Sequence, residues 1–123
     1  MNIAYKVLCI ENDKLFSANA YIKQEYFEKE INLPMIPGSK MFIFANIELA
    51  REFLDTETGD VIYKCLVEGM IKAPDFIPLA GNSSRNRWDN GKLEVIGSES
   101  RISPPGTYLC SSLYLLEKEN AKV

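Results

Sequence analysis

Histidine is absent from the 123-residue sequence. Without an imidazole, Ser-His-Asp and Cys-His catalysis fall away, and so do most zinc and iron sites. A basic excess is missing too: 14 Lys and Arg face 17 Asp and Glu, a formal net charge of -3. General nucleic-acid binders carry a positive surplus, so duplex nucleic acid is not an expected partner. No apolar run approaches the roughly 20 residues that a membrane-spanning helix needs. The opening Met1-Asn2-Ile3-Ala4-Tyr5-Lys6 has no basic leader before an apolar stretch. Neither a signal peptide nor a membrane partner is expected, and a cytoplasmic location is.

Cysteine is scarce and unpaired in pattern. Cys9, Cys65 and Cys110 are widely spaced, each inside an apolar, strand-like run, with no CxxC among them. They read as reduced, buried thiols, and no metal or redox site is expected from them. There is no Walker A sequence and no GxGxxG after a strand, which removes phosphate-loop NTPase and dinucleotide-fold chemistry. Ser111-Ser112 have no base in view. Carboxylate pairs such as Glu48 and Glu52 read as a solvated face, with Glu68 at a strand end the weak exception. No catalytic residue, metal or cofactor is therefore expected.

What remains is ordinary globular material, 46% hydrophobic and 25% charged, long enough for one domain over residues 1–123. Ile3 to Ile10 and Leu15 to Tyr21 read as two strands joined by the turn cluster Glu11-Asn12-Asp13. Residues Ile22 to Glu30 suit either a strand or a short helix. Pro34, Pro37 and Gly38 mark a loop. Met41 to Ala45 reads as a short buried strand. Asn46 has the chemistry of an N-cap, and from Ile47 to Asp55 the residues Ile47, Leu49, Ala50, Phe53 and Leu54 fall on one helical arc. Val61 to Glu68 alternates as a half-buried strand. Thr107 to Leu116 is the last expected strand, entered through Pro104-Pro105-Gly106, with a charged, frayed tail over 117–123. The expected class is α+β: a mostly antiparallel β-sheet, one principal amphipathic helix packed on it, and a long irregular binding segment before the last strand.

That segment, Pro74 to Gly106, holds the chemistry. Three of the four Arg in the chain lie in it, Arg85, Arg87 and Arg101, with the single Trp, Trp88, and Phe76. Asn90-Gly91 is a hairpin signal that makes Arg87-Trp88 and Leu93 to Ile96 candidate arms. Guanidinium forks match phosphate oxygens two at a time. An aromatic face stacks on a purine, and Asn86 offers both a donor and an acceptor to a base edge or ribose. The same composition also fits a plain solvated loop, with Trp88 covering a sheet edge and Glu94 or Glu99 neutralising Arg101.

Several segments together resemble the first-described type of phage Thoeris anti-defence sponge proteins. They are Tyr5-Lys6-Val7-Leu8, Leu15-Phe16-Ser17-Ala18, and Met41-Phe42-Ile43-Phe44-Ala45 leading into Leu49-Ala50-Arg51-Glu52-Phe53-Leu54. Ile62-Tyr63-Lys64-Cys65 and Pro104-Pro105-Gly106-Thr107 complete the set. The resemblance implies a non-catalytic protein of the host bacterial cytoplasm. Such a protein holds cyclic ADP-ribose isomers made by a TIR-domain enzyme and so keeps an NAD-consuming effector off. It further implies a homo-oligomer with pockets near subunit contacts, and in some members cyclic oligonucleotides at a second site. By this resemblance Phe76 is an adenine platform, Asn86 a polar pocket residue and Arg101 a pyrophosphate contact. Arg85, Arg87 and Trp88 rest on the chemistry above. Two other readings stay open: a small nucleotide-processing enzyme using Glu68 or Glu94 with Arg101, and a protein–protein inhibitor with the Trp88 loop as its plug.

Overall fold

A computed structural model of the chain describes residues 2–17, 24–35, 40–54, 59–73 and 106–119, and the backbone of 76–79 and 99–102. Among the described residues the secondary structure is mostly antiparallel β-sheet with one short helix. β1 (Asn2–Glu11) turns back into β2 (Lys14–Ser17) with Glu11 opposite Lys14. Asn12 and Asp13 between them have φ of 51° and 64°. Those are the left-handed angles a two-residue hairpin loop demands, and Asn and Asp tolerate them better than most side chains.

The stretch that suited either strand or helix forms a short strand at Glu25–Tyr26 and turns at Lys29, φ 59°. β3 (Glu25–Tyr26) pairs with β2, and β4 (Ile31–Asn32) later meets the C-terminal strand. Extension puts Tyr26 into the core at 2% exposure. β5 (Met41–Phe44) is buried on both faces. Met41 and Ile43 join the core inside the sheet, while Phe42 and Phe44 belong to clusters that include helix residues. α1 (Ile47–Phe53) starts where Asn46 Oδ1 accepts from the Leu49 N–H at 3.0 Å. It ends earlier than the expected Asp55, because Leu54 is already extended at ψ 133°.

β6 (Asp60–Glu68) sends Val61, Tyr63, Cys65 and Val67 into the main core. Ile62 lies on the other side, against the cluster that contains Ala50 of α1. The strand is therefore covered on both faces along its first half, and its alternation is blurred there.

The expected last strand is two strands. β10 (Thr107–Cys110) pairs with β5, whereas β11 (Ser112–Glu119) pairs with β6, and only Ser111 separates them. The chain bends there together with its neighbour. β6 runs through Gly69 and Met70 into β7 (Ile71–Lys72), which follows β10. Glu68 opposite Ser112 and Ile71 opposite Leu109 keep one register across the bend. Ser111 donates both its N–H and its hydroxyl to the Glu68 carbonyl, at 2.9 and 3.0 Å. Gly69 stands at φ 68°, and a Cβ there would meet Ser111 Oγ at 2.2 Å. The bend therefore needs glycine.

The nine-stranded sheet of the described residues runs β4-β11-β6-β1-β5-β10-β7, with β2 branching from β1 and β3 from β2. Since β10 and β11 are one run, the pairings β1–β6, β6–β11, β10–β5 and β5–β1 close a ring, and the sheet is rolled on itself. Leu8, Met41, Ile43, Leu113 and Leu115 fill the inside at 1% exposure or less. Each such side chain contributes on the order of 1.5–3 kcal/mol. One expectation is corrected here. The charged tail does not begin at Glu117, because Glu117, Lys118 and Glu119 pair with Lys64, Tyr63 and Ile62 after a register shift at Leu115. Backbone pairing to β6 holds this stretch while its charges stay at the surface. Residues 120–123 lie outside the described residues.

Candidate functional site

The informative segment is not irregular throughout. β8 (Phe76–Leu79) and β9 (Glu99–Ile102) pair antiparallel as a separate two-stranded sheet. In the main sheet the β7–β10 ladder is extended by the Ala73 N–H donating to the Thr107 carbonyl at 3.2 Å.

Register places two of the candidate residues. Phe76 stands opposite Ile102, and Arg101 opposite Ile77. The two positions are close along the ladder but belong to alternate phases of the pleat. Arg101 shares its phase with Glu99, two residues away on its own strand. Arg85, Asn86, Arg87 and Trp88 lie outside the described residues, as do Glu94 and the candidate hairpin around Asn90-Gly91.

Inside the rolled sheet lies a polar group that pattern reading passed over. Lys6 is 3% exposed. It occupies the inward phase of β1, between Ala4 and Leu8. Its Nζ donates to the Phe42 carbonyl at 2.8 Å and sits 5.3 Å from the centre of the Tyr26 ring. Cys65 and Cys110 belong to the same interior. Burial pushes both thiols up to about 12, and the Lys6 charge only partly opposes it. Such thiols stay protonated and make poor nucleophiles or metal ligands. None of the three cysteines is in a disulfide and all are buried, as their apolar settings in the sequence suggest.

Two further polar residues brace the 24–35 segment, which carries β3 and β4. Gln24 Nε2 donates to the Leu33 carbonyl at 2.7 Å, while Gln24 Oε1 accepts from the Met35 N–H at 2.8 Å. Asn32 Oδ1 accepts from the Phe27 N–H at 2.9 Å, and its Nδ2 donates to the Phe27 and Glu30 carbonyls. At the same end the Tyr63 hydroxyl donates to Glu28 Oε1 at 2.8 Å. Its pKa is pushed up to about 12, first by burial and then by that hydrogen bond and the Glu28 charge. The sequence signal for Lys6 was a charge between Tyr5 and Val7 in an apolar strand, whereas Gln24, between Lys23 and Glu25, carried none.

Two clefts open between described residues. One, about 230 Å³, is bordered by Asp13, Glu25 and Glu28 with Lys14. Its carboxylates outnumber its ammonium, which disfavours a phosphate. The other, about 300 Å³, is apolar and involves Ile31, Leu66, Leu113 and Tyr114, with Glu68 as its charged group. Neither supplies a guanidinium. Among the described residues no group of His, Cys, Asp and Glu is arranged to hold a metal ion, and no described helix is long and apolar enough to cross a membrane.

Compared with known proteins, the chain matches no protein-family model, no curated protein and no solved structure.

Proposed function

We propose that the chain is a ligand-holding protein for small cyclic nucleotide signals of the cyclic ADP-ribose class, which it sequesters without cleaving. By that reading it blocks activation of a Thoeris effector in an infected bacterium. The observation that carries the proposal is the β8–β9 register. It brings the Phe76 and Arg101 positions onto facing strands at the base of a connection whose sequence holds Arg85, Asn86, Arg87 and Trp88. The reading is supported by the donor chemistry of that set and by the resemblance of the core segments to the sponge proteins. The roles follow from residue type: aromatic stacking by Phe76 and Trp88, phosphate contacts by Arg85, Arg87 and Arg101, and a base or ribose contact by Asn86.

The alternating phases of Phe76 and Arg101 shape the proposal. A ligand lying flat on one side of the ribbon meets one of the two positions only. Enclosure then calls for the connecting segment or a second copy on the other side. Nanomolar capture corresponds to about -12 kcal/mol. A stacked base and two charge-assisted phosphate contacts supply only part of that once ordering costs are subtracted. A homo-oligomer belongs to the proposal for that reason.

The test is one incubation with two readouts. Protein mixed with cyclic ADP-ribose isomers should melt at higher temperature, and heating the complex should return the intact mass of the ligand. Turnover of a molar excess to a new mass would favour the nucleotide-processing enzyme. Tight binding of a partner protein with no melting shift would favour the inhibitor.

A further inference from the structure

Along β9 the two charged positions share one phase of the pleat. Glu99 and Arg101 are two residues apart, about 6.7 Å on an extended strand. Their register partners on β8 are Leu79 and Ile77. Directly opposed residues share one face of a ladder, so this face carries one acid, one base and two apolar positions. The other face takes Phe76, Pro78, Ser100 and Ile102 and carries no charge. An acid next to a phosphate-binding position needs a reason, because a carboxylate repels a phosphate.

We propose that Glu99 reads the free vicinal diol of a ribose whose 5'-phosphate is held at Arg101, and so selects cyclic ADP-ribose isomers against cyclic dinucleotides. The inference rests on the ligand class proposed above and adds the feature by which that class is chosen. An ionised carboxylate is an acceptor only, and two neighbouring hydroxyls are donors that it can take together. In a ribose 5'-phosphate the path from phosphorus to the 3'-hydroxyl runs through O5', C5', C4' and C3'. At roughly 1.5 Å per bond that path spans about 5–6 Å, close to the spacing of the two positions. The same logic operates in dinucleotide-binding folds, where an acid takes a free ribose hydroxyl and an Arg is needed once a phosphate stands there.

The two ligand classes differ at this point. Every cyclic ADP-ribose isomer keeps at least one ribose with both hydroxyls free and a phosphate on its 5'-oxygen. In a 3',5'-linked cyclic dinucleotide each 3'-oxygen is esterified. No diol remains, and a phosphate lies where the carboxylate needs a donor. Glu99 therefore attracts one class and repels the other, which is how a site gains specificity beyond affinity.

Calorimetry with a cyclic ADP-ribose isomer tests the proposal, with 3',5'-cyclic diadenylate scored as the inhibition constant for displacing that isomer. Displacement is blind to binding elsewhere on the protein. Losing a hydrogen bond to a charged group corresponds to roughly tenfold in affinity. Glu99→Ala is expected to weaken capture of the isomer by about that factor and to lower the inhibition constant of the diadenylate. Should Glu99→Ala fail to fold, Glu99→Gln keeps the size, removes the charge and shifts the two constants in the same directions. Ser100→Ala, adjacent but in the other phase, should leave both unchanged. If Glu99 serves only to neutralise Arg101, its removal frees the guanidinium and tightens both ligands alike. That result, an unchanged ratio of the two constants, or an equal effect at Ser100 overturns the proposal while capture by the wild type still stands. A wild type that captures no isomer overturns the ligand class itself, and the role of Glu99 with it.

Discussion

Lys6 Nζ lies 2.8 Å from the carbonyl oxygen of Phe42, 36 residues away, inside the ring of strands. The ammonium also sits over the Tyr26 ring at 5.3 Å, so a charge and an aromatic face meet in a site that water hardly reaches. Charge-assisted hydrogen bonds and ring attraction repay part of the desolvation cost, and the long alkyl stem fills core volume. Lys6→Ala removes both and is expected to cost roughly 2–4 kcal/mol. Lys6→Met keeps the volume, and its loss should be clearly smaller. Urea unfolding of the two variants checks this. Equal losses would show that the ammonium, not its stem, carries the stabilisation.

The interior thiols and Tyr63 set an alkaline limit. Cys65 and Cys110 rise from an ordinary 9.0 to about 12 in the fold, and Tyr63 from 10.0 to about 12. Each native group holds its proton more tightly than the unfolded one. Its contribution to stability is full below the unfolded value and is lost as pH climbs through the folded value. Stability should therefore fall between about pH 9 and pH 12, more steeply once Tyr63 joins near pH 10. Urea midpoints across that range test the slope. At pH 8 a thiol reagent should label native protein slowly and urea-unfolded protein quickly. Fast labelling of the native state would contradict the burial of all three cysteines.

The parts readable from sequence were those set by neighbours in the chain. Glu11-Asn12-Asp13 announce a turn, Asn46 a cap, and Ile47, Leu49, Ala50, Phe53 and Leu54 a helical arc, because each depends on spacings of a few residues. The break at Ser111 was not readable. It depends on Gly69 lying 42 residues earlier, across the ladder, where only a missing Cβ leaves room for the Ser111 side chain. Glu117 to Glu119 looked like a tail because charge signals solvent. They are strand because β6 offers them a backbone partner. Of the candidate site, sequence supplied the residue types, and backbone register supplies the relation between the Phe76 and Arg101 positions. Lys6 was hidden for the opposite reason: one charge in an apolar strand reads as an outward residue until the inward phase is fixed by its long-range partners.

Gly106 ties the helix to the entry of β10. It stands at φ 74°, and a Cβ on it would fall 2.1 Å from Leu49 Cδ1. The Ala45 N–H donates to the Gly106 carbonyl at 2.9 Å, so the backbone cannot simply swing away. Gly106→Ala should destabilise by roughly 1–3 kcal/mol through left-handed strain and the clash. Leu49→Ala in the same chain relieves the clash but not the strain. The double variant should therefore lose less than the sum of the two single losses. Strict additivity in thermal or urea unfolding would separate the two residues and contradict the contact.

Arg101 separates ligand capture from structure most directly. Its register partner is Ile77, and Glu99 shares its phase two residues back, so an ion pair within the strand competes with a phosphate contact as the reason for the charge. The two reasons predict different losses. Exposed ion pairs contribute about 0–1 kcal/mol to folding, whereas a charge-assisted contact to phosphate is worth enough that its removal should weaken capture roughly tenfold or more. Arg101→Ala is therefore expected to leave the melting temperature without ligand nearly unchanged and to weaken calorimetric binding of a cyclic ADP-ribose isomer by that factor. Arg101→Lys should recover only part of the affinity, since an ammonium keeps the charge but not the two-pronged geometry. If Glu99→Gln and Arg101→Ala lower unliganded stability alike and leave binding untouched, the guanidinium belongs to the ribbon and not to a ligand.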